Sequence, residues 1–257
     1  MLFHIKDLTV KHRQKTLVSI DELSINQGKF SVIIGANGAG KSTLLHSLLG
    51  KATNLSVSGK ILCQNKPIGE QVAKGRIAWV GQHERFGLPL TVLDYALLGT
   101  QPTLAWYQKP NPAHIKQATK LLAQFDLLSL VDKRIGGLSG GEKQRLAIVR
   151  ALMQQTDILL FDEPTNHLDI RHERALFVYL KQLVKQQNKS IVVVLHNLTT
   201  AYRHADEIIA MTKDEHTTVG KVIAQGAPHD VMTAERLSMM YQAPIKVFDT
   251  EDGKVFL

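Results

Sequence analysis

Cysteine is almost absent from this chain of 257 residues, which contains only Cys63. A single cysteine excludes an internal disulfide and fits a reducing compartment, and its strand-like surroundings predict a small packed side chain. No apolar run approaches the ~20 residues that a membrane-spanning helix needs. The first residues lack a basic segment followed by a long apolar one, so we expect no secretory signal. These absences predict a cytoplasmic polypeptide that does not itself cross a bilayer.

A block of like charges is also missing. The net charge is +8, but the basic residues are dispersed and form no long Lys/Arg run. Such a surplus is compatible with a nucleic-acid partner, with an anionic membrane surface or with a solvated basic surface, and charge alone does not choose among them. The sequence has no internal repeat and no low-complexity linker. With 44% hydrophobic residues, it is long enough to bury a substantial core.

The apolar pattern predicts an α/β fold with a mostly parallel sheet. Residues 157–161 and 190–195 are near-continuous apolar runs, as expected for parallel strands that are covered on both faces. Helix-compatible sequence at 171–187 separates them, which favours a right-handed crossover in a doubly wound core. The other predicted strands are an alternating region over 2–25 with a turn at 11–15, residues 30–34, a pair within 56–65 that turns at Ser58-Gly59, residues 76–80, 206–211 and 221–224, and a terminal pair within 245–257.

Residues 83–155 show helical spacing with little strand signal. Helices are predicted over 90–98 and 113–128, and a closing helix over 234–241. The apolar face of the second helix consists of Ala118, Leu121, Leu122 and Phe125. We therefore expect a helical subdomain inserted into an α/β core.

A glycine-rich loop follows the predicted strand at 30–34 and leads into an apolar helical run. In such a loop the backbone N–H groups and the positive end of the helix cradle phosphates. Lys41 would then reach the β- and γ-phosphates, and Ser42 would offer a hydroxyl to Mg²⁺. The loop fulfils the pattern G-x-x-x-x-G-K-[ST] with Gly35, Ala36, Asn37, Gly38, Ala39, Gly40, Lys41, Ser42 and Thr43. The sequence therefore predicts a nucleoside triphosphate site.

Two acids, Asp162 and Glu163, follow the buried run at 157–161. The first carboxylate is suited to hold Mg²⁺ together with Ser42, and the second is suited to polarise an attacking water. The alternative is that the pair is two solvated acids at the end of a strand. The complete phosphate loop favours the catalytic interpretation.

A second anion site is predicted at Leu138-Ser-Gly-Gly-Glu142. Ser139, Gly140 and Gly141 open a helix, so that a hydroxyl, exposed N–H groups and a helix dipole coincide. The alternative is a helix cap of the Ser-Gly type. Together with the phosphate loop and the two acids, this segment closely resembles the LSGGQ-type signature of the ATP-binding-cassette family, with Glu142 in place of the glutamine.

The resemblance covers essentially the whole chain and implies the fold of that family. That fold is a P-loop NTPase ATPase core, in which a mostly parallel sheet is flanked by helices and joined to an antiparallel β part. The single domain, 1–257, would consist of a RecA-like core, residues 1–82 and 156–257, and a helical subdomain, residues 83–155. The cofactors implied are ATP and Mg²⁺.

The resemblance also implies roles for individual residues. Gln82 would sense Mg²⁺ and the attacking water where the transmembrane partner docks, and Lys41, Glu163 and His196 would serve hydrolysis, the histidine by contacting the γ-phosphate. Asp169 would communicate across a dimer. Ser139, Gly140 and Gly141 would contact the nucleotide held by the phosphate loop of the partner.

His12 stands where the family usually has an aromatic residue that stacks on adenine. An imidazole stacks less extensively, so His12 is either a weaker adenine contact or only a turn residue, and both interpretations stay open. The remaining histidines do not show a ligand spacing that predicts a transition-metal site. They include His83, His167, His172 and His204.

The resemblance implies a homodimer of ATPase subunits that binds separate transmembrane permease subunits at the cytoplasmic face of the membrane. A solute-binding protein would take part indirectly, and no direct nucleic-acid binding is expected. Residues 88–107, with Trp106-Tyr107, the run 166–172 and the tail 226–232 resemble ATPase subunits for uptake of iron–siderophore, haem or cobalamin. Zinc or manganese uptake is the alternative cargo. A non-transport cassette ATPase that acts on nucleic acid or ribosomes is the alternative function.

Overall fold

The computed structural model describes residues 1–50, 54–82, 87, 89–104, 108–214, 217–251 and 253–257. Within these residues the strands are β1 (Phe3–His12), β2 (Lys15–Ile25), β3 (Phe30–Gly35), β4 (Ser56–Cys63), β5 (Lys66–Pro67), β6 (Ile77–Val80), β7 (Ile158–Asp162), β8 (Ser190–Val194), β9 (Glu207–Lys213), β10 (Gly220–Gly226), β11 (Val247–Thr250) and β12 (Gly253–Phe256). The first ten form one sheet in the order β5-β4-β1-β2-β10-β9-β3-β8-β7-β6, and β11 pairs with β12 as predicted.

Nine α-helices lie within the same described residues. They are α1 (Lys41–Ser47), α2 (Ile68–Ala73), α3 (Val92–Leu97), α4 (Pro112–Gln124), α5 (Gly140–Met153), α6 (Ile170–Gln187), α7 (Leu198–His204), α8 (Pro228–Val231) and α9 (Ala234–Tyr241). Short 3₁₀ helices cover Leu98–Thr103, Leu128–Leu130 and Ile135–Gly137. None of the helices in this part of the chain has the length and apolarity to pass through a bilayer.

Half of the large sheet is parallel. Strands β9, β3, β8, β7 and β6 lie side by side in the same direction. All residues of β3, β7 and β8 are buried, because helices or the antiparallel strands cover both of their faces. The near-continuous apolar runs in the sequence are therefore confirmed as central parallel strands, and the mixed α/β fold is confirmed with them.

The antiparallel half corrects one prediction. Residues 56–65 are not a strand pair that turns at Ser58-Gly59, because both residues lie inside the single strand β4. Gly59 has a φ of +99° at an irregularity in the pairing with β1, and a Cβ there would clash with the backbone of Asp7. The turn comes at Gln64-Asn65, whose φ values of 50° and 61° suit a tight hairpin turn into β5.

Alternate residues of the central strands face two separate apolar clusters. Phe30, Val32 and Ile34 of β3 pack into the cluster that also contains residues of α3, α4, α5 and α6. Ile33 packs into the other cluster, with α1 and the antiparallel strands β1 and β2. The sheet is therefore the middle layer of the molecule, as the period-2 alternation of strand side chains requires.

In the region predicted as a helical subdomain, the described residues form α3, α4, α5 and 3₁₀ turns. One isolated β-bridge joins Thr91 to Arg134. Leu88, Trp106 and Tyr107 lie outside the described residues, so the resemblance to uptake ATPases that these residues carry has no structural counterpart. The boundaries of the subdomain stay a prediction.

Four adjacent parallel strands carry the predicted site residues at their carboxyl ends. The phosphate loop follows β3, His196 follows β8, Asp162 and Glu163 end β7, and Gln82 follows β6. These strands are neighbours in the sheet order β3-β8-β7-β6. Open α/β sheets bind ligands in the crevice at this edge.

The hairpin formed by β9 and β10 packs directly on the phosphate loop. A Cβ added to Gly220 would clash with the backbone oxygen of Ala39 and would lie 3.3 Å from that of Leu17. Gly220 also pairs with Val18 of β2, so β10 joins the loop to the first hairpin of the chain. The absence of a side chain at Gly220 lets the phosphate loop, the first hairpin and β10 approach one another.

We expect Gly220→Ala to lower the free energy of unfolding by about 1–3 kcal/mol, because the added methyl group forces the phosphate loop or β10 to move. Urea unfolding followed by circular dichroism measures this. Gly69→Ala in α2 is the matched control, since nothing lies within 4 Å of its added Cβ. In a helix this control should gain about 0.5–1 kcal/mol. Equal effects of the two substitutions would refute the close packing at Gly220.

Candidate functional site

The phosphate loop holds its lysine inside the protein. Lys41 is only 5% exposed, and its Nζ donates hydrogen bonds to the carbonyl oxygens of Gly35 over 2.8 Å and of Ala36 over 3.1 Å. Gly40 is the N-cap residue of α1 and has no side chain to occupy the first N–H groups of the helix. These N–H groups and the ammonium group can therefore bind an anion.

A hydroxyl and a carboxylate meet beside the loop. Ser42 Oγ donates a hydrogen bond to Asp162 Oδ1 over 2.9 Å. Burial raises the pKa of the Asp162 carboxyl, and the hydrogen bond from Ser42 acts against that rise. Burial likewise lowers the pKa of Lys41, while the charges of Glu163 and Asp162 favour its protonated form. The opposite charges of the acids and the lysine thus reduce the free-energy cost of burying each charged group.

The oxygen atoms beside the phosphate loop are suitable ligands for Mg²⁺. Three hard oxygen ligands are available: Ser42 Oγ, the Asp162 carboxylate and the amide oxygen of Gln82. Gln82 donates to Glu163 through its amide nitrogen Nε2, which leaves its amide oxygen for a cation. Mg²⁺ is usually held by one or two carboxylates together with substrate phosphates and water, rather than by a cage of protein ligands. In the described ranges no group of three or more His, Cys, Asp and Glu side chains forms a metal site. Ser42, Asp162 and Gln82 could therefore hold Mg²⁺ beside bound phosphates.

Three side chains converge on the Glu163 carboxylate. Gln82 Nε2 and Asn166 Nδ2 donate to Oε2 over 2.8 and 3.0 Å, and His196 Nε2 lies 2.6 Å from Oε1. Partial burial raises the pKa of Glu163, but the hydrogen bonds from Asn166 and His196 and the charges of His196 and Lys41 outweigh it, so the pKa is lowered. Glu163 is therefore an ionised base at neutral pH with both oxygens oriented.

The backbone at Glu163 is in the left-handed region. Its φ is 50°, which is uncommon for a residue with a side chain and costs on the order of 1 kcal/mol. The N–H of Glu163 donates to Val194 O in β8 over 3.2 Å, and its carbonyl accepts from the N–H of Asn166 over 3.2 Å. These bonds fix the turn that brings Asn166 back to the carboxylate.

Asn166 was not singled out as a functional residue by the sequence. It lies at the start of the run 166–172 that resembles uptake ATPases. Its position three residues after Glu163 is a usable signal, because a turn at that spacing places the two side chains together.

The Ser139 segment forms the N-terminus of α5 and does not line the same cavity as Lys41. Ser139 Oγ accepts a hydrogen bond from the N–H of Glu142, and a Glu142 carboxylate oxygen accepts one from the N–H of Ser139 over 2.6 Å. This reciprocal capping box accounts for a glutamate at position 142. The hydrogen bond from the Ser139 N–H lowers the pKa of Glu142, so its carboxylate is charged at the helix N-terminus. The backbone of Gly141 lies against the carbonyl oxygen of His167.

Asp169 is the N-cap residue of α6. Its Oδ1 accepts from the N–H of His172 over 2.9 Å and lies 2.8 Å from His172 Nδ1. These hydrogen bonds lower the pKa of Asp169. Within one chain the aspartate therefore has a local role at the start of α6, and its role across a dimer stays a prediction.

A cavity of ≈ 430 Å³ lies between the phosphate loop, Glu163 and His196. Its lining comprises Lys15, Leu17, Asn37, Gly38, Gly40, Lys41, Ser42, Thr43, Glu163, His196, Lys213 and Thr218. His12 is exposed at the end of β1, where it pairs with Lys15, and is not part of this lining. The structure therefore puts Lys15 and Leu17 of the first hairpin on the cavity wall, and adenine stacking by His12 stays a prediction.

The chain is similar to known proteins along its whole length. The family model described as ABC transporter matches residues 18–166. The "Probable iron chelatin transport ATP-binding protein" of Helicobacter pylori J99 is 33% identical over 99% of this chain and 98% of its own length. The "Manganese transport system ATP-binding protein MntB" of Listeria innocua is 34% identical over 94% of this chain and 97% of its own length. An inward-facing structure described as a "metal-chelate type ABC transporter" superposes with a TM-score of 0.80 at 23% identity, over 100% of this chain and 96% of that one.

We expect Lys41→Ala to abolish ATP hydrolysis and to weaken ATP binding, because the buried ammonium group is the charged donor of the loop. Phosphate release and isothermal titration measure the two effects. Lys116→Ala on the exposed side of α4 is the control and should change neither. Unaltered turnover of the Lys41 variant would refute the phosphate-loop assignment.

Glu163→Gln should keep ATP binding and slow hydrolysis by about 100-fold or more, a loss of at least ~2.7 kcal/mol of barrier lowering. The amide keeps the shape of the side chain but removes the negative charge that accepts a proton. Single-turnover hydrolysis is the measurement, with Glu22→Gln on the exposed part of β2 as control. Normal turnover of the Glu163 variant would mean that another group is the base.

Proposed function

The chain belongs to the ABC transporter family as the ATP-hydrolysing subunit of an importer, and we propose that its cargo is a metal chelate such as an iron–siderophore, haem or cobalamin. The observation that carries this choice is the similarity to the iron chelatin ATP-binding protein, which extends over 99% of this chain and 98% of the relative. Zinc or manganese is the second candidate, supported by the comparable identity to the manganese relative.

The hydrolytic step would use the Glu163 carboxylate as the proton acceptor for an attacking water. Its lowered pKa keeps it ionised at neutral pH, and its hydrogen bonds with Gln82, Asn166 and His196 limit its rotation. Lys41 would pair with the β- and γ-phosphates after exchanging its bonds to the loop carbonyls. His196, 2.6 Å from Glu163, is suited to contact the γ-phosphate.

Ser42 and Asp162, with Gln82 nearby, would hold Mg²⁺, which would supply positive charge to the bound phosphates. The buried Asp162 carboxylate supports this role, because a bound cation would replace the stabilisation that it otherwise receives from Ser42 and Lys41. The Ser42–Asp162 hydrogen bond keeps the two ligands 2.9 Å apart before a cation binds.

ABC ATPase subunits dimerise and pair with transmembrane permeases, and a homodimer with two composite sites is our proposal for this chain. Ser139, Gly140 and Gly141 do not line the cavity of their own chain, which supports a role at the nucleotide of a second copy. Hydrolysis would remove the γ-phosphate contact and loosen the dimer, and attached permease helices would move with it. The subunit would work peripherally, at the cytoplasmic face of the membrane, with a solute-binding protein on the other side.

An affinity-tagged Glu163→Gln chain should capture the permease from detergent-solubilised membranes in the presence of ATP, because the variant binds nucleotide without consuming it. Lys41→Ala is the matched bait that should capture less under the same conditions. Equal capture by both baits would contradict nucleotide-dependent coupling.

The wild-type complex reconstituted in liposomes with its solute-binding protein should accumulate a radiolabelled iron chelate only when ATP is inside with the ATPase. Manganese and zinc ions should be taken up no faster than by protein-free liposomes. Uptake of manganese or zinc without uptake of the chelate would select the second candidate cargo.

A further inference from the structure

We propose that Lys213, assisted by Lys15, is an additional binding group for the phosphate chain of the nucleotide. The proposal rests on the ATPase activity and not on the identity of the cargo. Neither lysine belongs to the phosphate loop, and both line its cavity. The chemical class of the ligand is a nucleoside di- or triphosphate.

Lys213 lies directly against the phosphate loop. It is the last residue of β9, and a Cβ added to Gly38 would lie 2.6 Å from Lys213 Nζ and 2.8 Å from Lys213 Cε. The backbone N–H groups of this loop are the ones that point at phosphates. A second ammonium group therefore stands at the loop, and it comes from β9 and not from the loop itself.

Both ammonium groups are available for a ligand. In the described part of the chain, no carboxylate lies within ion-pair distance of Lys213 or Lys15, and both side chains are exposed. The nearby Lys221 differs, because its Nζ is 2.9 Å from Asp214 Oδ2. A cation at the mouth of a cavity without a protein counter-ion attracts an anionic ligand.

The backbone that presents Lys213 is held in place before any ligand binds. The next residue, Asp214, accepts hydrogen bonds from Lys221 Nζ and from the N–H and hydroxyl of Thr217, each over 2.9 Å. Its N–H and carbonyl also bond to Val219 and Thr218 across the turn. A fixed backbone at this position reduces the entropy that Lys213 loses when it pairs with a ligand.

The charges in the cavity are a reason for Lys213 and Lys15 to bind the nucleotide. A nucleoside triphosphate is strongly anionic, and the cavity already contains the Glu163 carboxylate, with Asp162 close behind it. Lys41, the charged side chain of the loop, also interacts with both acids. The described lining contains no Phe, Tyr or Trp side chain to stack on the base, so contacts to the phosphate chain carry more of the affinity.

We expect Lys213→Gln to raise the Kd for ATP and for ADP about threefold to tenfold, as for the loss of one partly exposed charge-assisted contact. Binding of adenosine, which has no phosphate, should not change. Isothermal titration of the full-length chain measures the nucleotides, and competition measures adenosine. Lys15→Gln should have a smaller effect in the same direction, and Lys213→Arg should stay within about twofold of wild type because it keeps the charge.

Salt provides a second readout. The ratio of the variant and wild-type Kd values for ATP should shrink as the salt concentration rises, since salt screens exposed charges. Lys66→Gln on the exposed strand β5 removes the same charge away from the cavity and should leave every Kd unchanged.

A wild-type Kd for ATP in the Lys213→Gln protein would overturn the proposal. So would an equal loss for ATP and adenosine together with a lower melting temperature, because that pattern indicates only a structural role in the hairpin. Failure of the wild-type chain to bind ATP would instead contradict the ATPase function. The two failures are therefore distinguishable.

Discussion

The hydrogen bonds that meet at the Glu163 carboxylate are the constraint on which the site depends. They come from residues that follow three neighbouring parallel strands: Gln82 after β6, Asn166 after β7 and His196 after β8. A shift of any one strand relative to the others would break at least one of them. The register of the parallel sheet and the orientation of the proposed catalytic base are therefore set by the same packing. Backbone hydrogen bonds to Val194 and Asn166 hold the left-handed backbone at Glu163.

The phosphate loop depends on a second contact, with the hairpin of β9 and β10. Gly220 lies against the backbone of Ala39, and Lys213 at the end of β9 lies against Gly38. One element thus supports the loop by packing and adds positive charge to its cavity. Affinity for nucleotide and stability of the core are coupled at this hairpin, whereas the orientation of Glu163 is determined on the other side of β3.

The phosphate loop, the two acids and the buried parallel strands could be predicted from the sequence. Each is a local pattern whose residue types follow from its chemistry. The prediction failed at Ser58-Gly59, where a glycine marks a bulge inside β4 and not a turn. The motifs also did not identify Asn166, although its position three residues after Glu163 is a usable signal. Lys15 and Lys213 could not be identified, since strand pairing between segments far apart in sequence brings them to the cavity. The glutamate of the Ser139 segment, Glu142, is explained only by the capping box that the folded helix forms.

The hydrogen bonds at Glu163 orient its carboxylate as a proton acceptor, and those from Asn166 and His196 lower its pKa. The pH dependence of single-turnover ATP hydrolysis in the wild-type and Asn166→Ala proteins tests this role of the hydrogen bonds most directly. Below the pKa of Glu163 the base is protonated and the rate falls, and the Asn166 amide lowers that pKa. We therefore expect the acidic limb of the profile to move to higher pH in Asn166→Ala. An acidic limb at the same pH in both proteins would contradict it.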